Sequence, residues 1–321
     1  MEKDCFFVLT DIDCPNCLYE KHGRLVNCME IANPIYDAVF KFLMEDKKSA
    51  ALIIGAITGF EIESIELRPT EVALDAKGER QWTVYRLDLL AHVRTADGVK
   101  AVLIEVQKAK FHTDIERFRR YLGSQYASEE NYEKLDSGTA GECRRKAMPL
   151  FTIYILGHRL EHNSDVPVIR VNRTYTDHTT GTQLNERDTF IESLTHDCAI
   201  IQVPALAGRR RNRLEKMLAV FDQALIKPDN RHLLNVTDDD APEDEIQVLL
   251  RRLAHAVADR EVRQRMTVED EIVSEFEMRD RREKELMLIA QEERRQKEEE
   301  RRQKDAALAE LEKLKQQFGL K

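Results

Sequence analysis

Apolar and polar positions follow two different periods in the first part of the chain. From Asn33 onward, apolar residues recur at the spacing of an amphipathic helix: Ile35, Val39, Phe42, Leu43, Leu52, Ile53 and Ile57. Asn33 is suited to cap this helix, with Pro34 in its first turn. After Gly59 the segment FEIESIELRPTEVAL alternates like a strand with one solvated face. The pattern therefore predicts a helix and then a strand.

The next two apolar runs predict a β-hairpin, because RLDLLAHV and AVLIEVQK flank a tight Asp-Gly reversal. With a four-residue connection from Thr95 to Gly98, residues whose numbers sum to 193 face each other. Asp88 then lies opposite Glu105, with Cβ atoms ~5 Å apart. In the alternative register, with the Asp-Gly pair as a two-residue turn, Asp88 faces Gln107 on the same face of the hairpin.

Two adjacent carboxylates repel each other unless a positive group lies between them or one takes up a proton. A divalent cation such as Mg²⁺ is the economical explanation, since it prefers carboxylate oxygens. Either acid alone is more often a residue on the solvated side of a strand. The combination with Gln107 favours a site, because Glu105 and Gln107 share one strand face directly after an apolar run.

The segment DIERFRRYLGSQY predicts a helix after the hairpin. Arg117, Arg120, Ser124 and Tyr121 recur at a spacing that allows contacts with phosphates on one side. Alternatively, the helix has a solvated face, with Phe118 and Tyr121 in the core. Lys108 follows Gln107 and is expected to point to the opposite face of the strand.

The second half of the chain continues with strands and helices. MPLFTIYIL predicts a buried strand that extends the sheet, and HDCAIIQVPAL predicts another. A basic cluster (Arg209, Arg210, Arg211 and Arg213) precedes a helical apolar stripe (Leu214, Met217, Leu218, Phe221 and Leu225). Pro228 and the acidic run TDDDAPEDE indicate a linker before the amphipathic helix IQVLLRRLAHAV.

The end of the chain is predicted to be one long charged helix. Acid–base pairs at four-residue spacing support it: Glu293 with Lys297, Glu298 with Arg302, and Glu300 with Lys304. Ala307, Leu311, Leu314 and Phe318 then form a short coiled-coil-like seam. This seam could join two copies in a homodimer, or the helix could be a solvated extension.

Composition fits a globular body with such a tail. The chain has 321 residues, 42% of them hydrophobic, and a formal net charge of -9. The segment from Thr237 to Lys321 holds 24 acidic and 18 basic residues, so the body is closer to balance. Since no apolar run is long enough to span a membrane and the N-terminus does not read as a secretory signal, we expect a cytoplasmic protein without a membrane partner.

The first thirty residues contain a CPNC segment. A C-x-x-C turn can hold one zinc ion, so Cys14 and Cys17, with Cys28 or His22, are candidate ligands. Without a second C-x-x-C segment, reduced cysteines in an ordinary loop are the alternative. A zinc-dependent partner module is a third functional hypothesis.

Asp88, the Glu105-x-Gln107 pair and the helix DIERFRRYLGSQY together resemble the PD-(D/E)XK nuclease family transposases, also called recombination-promoting nucleases. The resemblance extends to NPIYDAVFKFLMED upstream and through RDTFIESLTHDCAIIQVP to MTVEDEIVSEFE downstream. It covers roughly Ile31 to Glu277, so the Cys-containing start lies outside it.

The resemblance implies an α/β fold with a restriction-endonuclease-like mixed sheet flanked by helices. The predicted organisation is an N-terminal extension (1–30), a nuclease-like domain (31–206), a helical region (207–267) and a charged coiled-coil-like tail (268–321).

The resemblance further implies a Mg²⁺- or Mn²⁺-dependent DNA endonuclease associated with DNA recombination or mobile elements. Asp88 and Glu105 would hold the metal, and Gln107 stands where the wider superfamily has lysine. Lys108, Arg117, Arg120 and Tyr121 are the candidate DNA contacts. Because an amide carries no positive charge, the alternative is a nuclease fold with weak or lost chemistry that acts by binding DNA or a partner.

Overall fold

The computed structural model describes residues 17–19, 25–68, 89–110, 114–135, 144–237 and 244–318. Its α-helices there are α1 (Asp37–Glu45), α2 (Lys47–Thr58), α3 (Asp114–Ala127), α4 (Thr189–Leu194), α5 (Arg213–Leu218), α6 (Asp244–Ala258) and α7 (Arg260–Phe318). Its strands are β1 (Cys17–Tyr19), β2 (Leu25–Ala32), β3 (Ser64–Arg68), β4 (Leu89–Thr95), β5 (Gly98–Gln107), β6 (Tyr132–Leu135), β7 (Arg144–Ala147), β8 (Leu150–Leu156), β9 (Val168–Val171), β10 (Tyr175–Thr176), β11 (Gln183–Leu184), β12 (Asp197–Gln202), β13 (Ile226–Lys227) and β14 (Asn230–Thr237).

The central sheet of the described chain has six strands in the order β3-β4-β5-β8-β12-β9. β5 and β8 are parallel, as are β8 and β12, whereas the outer neighbours pair antiparallel. The predicted α/β class with a mixed sheet flanked by helices is confirmed. The strands predicted from MPLFTIYIL and HDCAIIQVPAL are β8 and β12, and both lie inside this sheet.

The hairpin of β4 and β5 has the register that the sequence favours. Leu89 pairs with Ile104 and Thr95 with Gly98, so the paired residue numbers sum to 193. Gly98 has a φ of 115°, a conformation that glycine adopts without strain. The tight reversal therefore fixes which β5 residues share a face with which β4 residues.

Alternate residues of β5 pack into separate clusters on the two faces of the sheet. Val102, Ile104 and Val106 belong to the main core, which also contains buried residues of α1, α2 and α6. Ala101 and Leu103 point to the other face and pack with Tyr121 of α3. Glu105 and Gln107 continue the second series, because side chains alternate along a strand.

The predicted first helix is two helices. Asp46 has extended backbone between α1 and α2, and its carboxylate accepts a hydrogen bond from the N–H of Ser49 at 2.9 Å. Asn33 does not cap α1, since Tyr36 is the N-cap residue. The Asn33 side chain instead accepts from the Ile35 N–H at 3.2 Å and donates to the Gln223 side chain at 2.9 Å.

A second sheet joins segments that are distant in the chain, in the order β1-β2-β14-β13. β14 pairs antiparallel with β2, for example Leu234 with Ile31. The predicted linker after Pro228 is thus partly a strand, and the predicted N-terminal extension contributes β2. Pairing between distant segments provides hydrogen bonds for backbone N–H and C=O groups, whose partners the local sequence pattern does not predict.

The chain forms two compact units, Met1–Glu269 and Asp270–Lys321. The predicted helical region 207–267 lies within the first unit and shares its core, for example through Leu218, Leu249 and Met266. It is therefore not a unit of its own. α7 begins in the first unit, and the second unit consists of the remaining part of this helix up to Phe318 and the last residues.

Within the second unit, Glu298 and Arg302 form the predicted ion pair at 3.1 Å, and Leu308, Leu311 and Leu314 are about half exposed or more. None of the helices in the described ranges combines the length and apolar character needed to cross a bilayer.

Candidate functional site

Glu105 and Gln107 are two buried polar residues at the end of a central strand. Their exposed fractions are 4% and 9%, in a strand whose last seven residues are all buried. A carboxylate in such surroundings requires a charged or hydrogen-bonding partner, because removing it from water is costly. The partner of Glu105 therefore indicates which charged group this end of the sheet accommodates.

Arg117 supplies a positive group to both residues. Its Nη2 donates to Oε1 of Glu105 at 2.9 Å and to Oε1 of Gln107 at 2.6 Å. Arg117 stands in the first turns of α3, the helix that packs on this face of the sheet. The oxygens of Glu105 and Gln107 thus converge on one cationic nitrogen.

The amide of Gln107 is held in a defined orientation. Its Nε2 donates to the carbonyl oxygen of Ala109 at 3.0 Å, which turns Oε1 toward Arg117. The neighbouring strand also approaches closely here, since the Gly157 N–H donates to the Gln107 carbonyl at 2.7 Å. A Cβ on Gly157 would lie 2.3 Å from the Lys108 carbonyl oxygen, so only glycine fits.

An aromatic pair borders the acidic end of β5. Tyr154 pairs in register with Glu105, and its ring lies 4.2 Å from that of Phe118, measured between centroids. Burial raises the pKa of Tyr154, and the negative charge of Glu105 acts in the same direction. The phenol is therefore neutral at physiological pH.

A second polar contact lies at the C-terminal end of α3. The hydroxyl of Tyr126 lies 2.8 Å from Nδ1 of His196. Burial lowers the pKa of His196, and the nearby Arg173 adds to this effect. A neutral His196 can accept the Tyr126 O–H through Nδ1.

The second predicted metal ligand, Asp88, lies outside the described residues. It directly precedes Leu89, the first residue of β4. Within the described ranges, no group of three or more His, Cys, Asp and Glu side chains is placed to hold a metal ion. Cys14 and His22 also lie outside the described residues. Cys17 and Cys28 belong to β1 and β2, but their side chains lie outside the described part as well.

The predicted DNA contacts fall in different environments. Tyr121 is 1% exposed and packs with Leu90 and Leu103, so it is a core residue and not a surface contact, as in the alternative interpretation of the helix. Arg120 is exposed. Lys108 points away from Glu105, as expected, and its Nζ lies 3.5 Å from the centroid of the Tyr36 ring.

Three arginines of the basic cluster at the start of α5 pair with acidic residues. Arg210 contacts Asp222 at 3.2 Å, Arg213 contacts Glu245 at 2.8 Å, and Arg211 pairs with Glu215. Asp222 and Glu215 are buried, so these arginines are engaged with acids inside the fold. The cluster is thus less suited to bind phosphates than the sequence alone indicates.

The sequence predicts Arg117 as a DNA contact but does not predict its contact with Glu105 and Gln107. The spacing of arginines along α3 gives helix faces, but not which face meets the sheet. The close approach of Gly157 was also missed, because nothing in a lone glycine indicates that a neighbouring strand passes it.

Comparison with known proteins adds no relative: the chain matches no protein-family model, and no curated protein or solved structure is significantly similar to it. The resemblance to PD-(D/E)XK nucleases therefore stays a prediction that depends on the residues named above.

Proposed function

We propose that this protein is a Mg²⁺-dependent DNA endonuclease that hydrolyses phosphodiester bonds, in the context of DNA recombination or mobile elements. The observation that carries the proposal is the pair Glu105 and Gln107, buried at the end of a central strand with their oxygens directed at one cationic nitrogen. A buried carboxylate kept at a strand end is unfavourable for stability alone. A site that binds a cation or a substrate would account for a carboxylate at this position.

The donor atoms suit a hard divalent cation. Carboxylate and amide oxygens are ligands that Mg²⁺ accepts, and it commonly needs only one or two carboxylates, with water in the remaining positions. Two oxygens that already converge on a positive nitrogen are consistent with this requirement. In the proposal, Glu105 and Asp88 hold the cation, and Gln107 contributes its amide oxygen or binds a water molecule.

A bound Mg²⁺ would polarise the scissile phosphate and increase the acidity of the attacking water. The protein's own residues position these partners. Gln107 lacks the positive charge of a lysine, but Arg117 brings a permanent positive charge to within 2.6 Å of its oxygen. In our proposal, Arg117 thus neutralises this strand end while no metal is bound.

The exposed face of α3 is proposed to meet the DNA backbone. Arg119 and Arg120 are exposed, and neither forms an ion pair with another described residue. Guanidinium groups without an acidic partner can bind phosphate oxygens. Such contacts position a duplex without reading its sequence. Since the whole chain carries a net charge of -9, binding would depend on this local surface and would weaken steeply with salt.

The test is Mg²⁺-dependent nicking of supercoiled plasmid by the wild type, Glu105→Gln and Asp88→Asn. Glu63→Gln is the matched control, because Glu63 is an exposed acid outside the proposed site. We expect the two site variants to lose at least about a hundredfold in rate and the control to keep full activity. A wild type that cuts no DNA with Mg²⁺ or Mn²⁺, or a Glu105→Gln variant that cuts normally, would refute the proposal.

The second candidate is a nuclease fold without efficient chemistry that binds DNA or a protein partner. The exposed leucines of the second unit favour it, since Leu308, Leu311 and Leu314 could pair with a second copy of the helix. This candidate predicts a gel shift of DNA by the wild type and by both site variants, without cleavage by any of them.

A further inference from the structure

The contact between Arg117 and β5 places a permanent positive charge where a metal ion would have to bind. Nη2 of Arg117 lies 2.9 Å from the Glu105 oxygen and 2.6 Å from the Gln107 oxygen. A divalent cation bound to the same two oxygens would lie at similar or shorter distances from them. The guanidinium and the cation cannot occupy this position together.

Arginine cannot resolve this conflict by losing its proton. Its guanidinium stays charged at any pH at which proteins are folded, whereas a lysine in such a place could become neutral. Repulsion between two adjacent positive groups would therefore have to be relieved by movement of the side chain. The position on a helix flanking the sheet allows this, because the Arg117 side chain is 28% exposed while that of Glu105 is 5% exposed.

The displaced guanidinium of Arg117 has an exposed basic surface next to it. Arg117 shares its helix with the exposed Arg119 and Arg120, the surface proposed above to meet phosphates. An extended arginine that leaves Glu105 toward solvent would join this surface. One side chain would thus serve the metal-free site in one position and the DNA backbone in the other.

We propose that Arg117 is a displaceable counter-ion of the site. It neutralises Glu105 and holds Gln107 while no metal is bound, and it leaves when the two residues take up a divalent cation. This inference rests on the proposed function, because it assumes that Glu105 is a metal ligand. It goes further in stating that the protein's own arginine competes with the metal and so sets its affinity.

The test measures Mn²⁺ binding to the DNA-free protein by calorimetry. Arg117→Gln removes the competing charge, and Arg119→Gln is the matched control, since it removes an exposed charge from the same helix. We expect Arg117→Gln to bind Mn²⁺ roughly tenfold more tightly, because the cation no longer has to break charge-assisted hydrogen bonds. The control should bind as the wild type does, and Glu105→Gln should bind far more weakly.

A second measurement uses the wild type, so it does not depend on the folding of a variant. The side-chain nitrogen resonances of Arg117 should shift and sharpen on addition of diamagnetic Mg²⁺, as the guanidinium changes from a buried contact to a mobile one. Those of Arg119 should change little. Arg117 resonances that stay constant at saturating Mg²⁺ would overturn the displacement.

The outcomes separate the two proposals. If neither wild type nor Arg117→Gln binds Mn²⁺, the metal site and the proposed function both fail. If the wild type binds Mn²⁺ through Glu105 but Arg117→Gln binds it equally or less tightly, the proposed function stands and Arg117 is a fixed part of the site.

Discussion

The ion pair of Glu105 and Arg117 combines a favourable attraction with the cost of removing two charged groups from water. Buried ion pairs are often no better for stability than apolar residues of similar size, whereas removing one partner leaves an uncompensated charge. The effects of substituting Glu105 and Arg117 on the free energy of unfolding are therefore expected to be strongly non-additive. The energetics of this pair can be measured without any assumption about catalysis.

We predict that Arg117→Met destabilises the metal-free protein by about 2 kcal/mol, which is less than for a fully buried pair because Arg117 is partly exposed. Adding Glu105→Gln should recover much of this loss, since the second change removes the unpaired charge. Urea unfolding in the presence of a chelator gives both values. Strictly additive effects of the two substitutions would show that the pair contributes no coupling.

The stability of the protein should depend on pH through the buried His196. The pKa of His196 is lowered in the folded protein, first by burial and then by Arg173, while Asp197 acts in the opposite direction. In the unfolded chain this histidine titrates near its ordinary pKa of 6.5. As the pH falls through that value, the unfolded state binds a proton that folded His196 does not, so the contribution of His196 to stability is lost.

We expect the resonances of His196 in a residue-specific NMR titration to give a pKa below 6.5. Tyr126→Phe keeps the ring but removes the hydroxyl that lies 2.8 Å from Nδ1, and should thereby make protonation easier. His158 must be followed separately, because burial lowers its pKa as well. A pKa for His196 above 6.5 would contradict the assignment of a neutral, buried ring.

At the scale of elements, local chemistry predicted the hairpin well and the first helix poorly. The Asp-Gly reversal specified the register of β4 and β5. This register places Glu105 and Gln107 on the face of the sheet that α3 covers. The break between α1 and α2 was missed because apolar residues keep a helical spacing across Asp46. The signal was present, since an Asp three residues before Ser49 is a typical capping position.

The close approach of β8 to the end of β5 allows a test with two glycines. We predict that Gly157→Ala destabilises the protein by about 1–3 kcal/mol, because the added Cβ would lie 2.3 Å from the backbone of Lys108. Gly123→Ala is the matched control, as Gly123 lies within α3 with no atom within 4 Å of an added Cβ. That substitution should stabilise the protein by up to about 1 kcal/mol.

Thermal unfolding of the two variants compares them directly. The clash of the added Cβ should also move the end of β5, since the Gly157 N–H contacts the carbonyl of Gln107. We therefore expect Gly157→Ala to reduce Mg²⁺-dependent cleavage as well. Equal melting temperatures for Gly157→Ala and the wild type would mean that the strands can separate here without loss.

At the scale of the whole molecule, contacts between distant segments were beyond the sequence pattern. β2 and β14 pair although about 200 residues separate Ile31 from Leu234, and nothing local to either strand identifies the other. The contact of Arg117 with Glu105 is similar, because it depends on the orientation of α3 over the sheet. The fold class and the identity of the polar strand end were predictable, whereas the partner of Glu105 was not.

The division into two units predicts that the second can be removed without loss of the first. The core of the first unit reaches Met266, and the Glu269 carboxylate accepts a hydrogen bond from the Asp37 N–H at 3.0 Å. A chain that ends at Glu269 keeps both. We therefore expect deletion of Asp270–Lys321 to leave the unfolding midpoint of the remaining protein unchanged.

The same truncation tests whether the second unit joins two copies. Light scattering should give a dimer for the full chain and a monomer for the truncated one, because the exposed leucines near its end are then missing. Leu311→Glu in the full chain is a gentler variant, which should weaken the dimer without shortening the helix. A full-length monomer at all concentrations would leave the tail a solvated helix, and a truncated dimer would place the interface in the first unit.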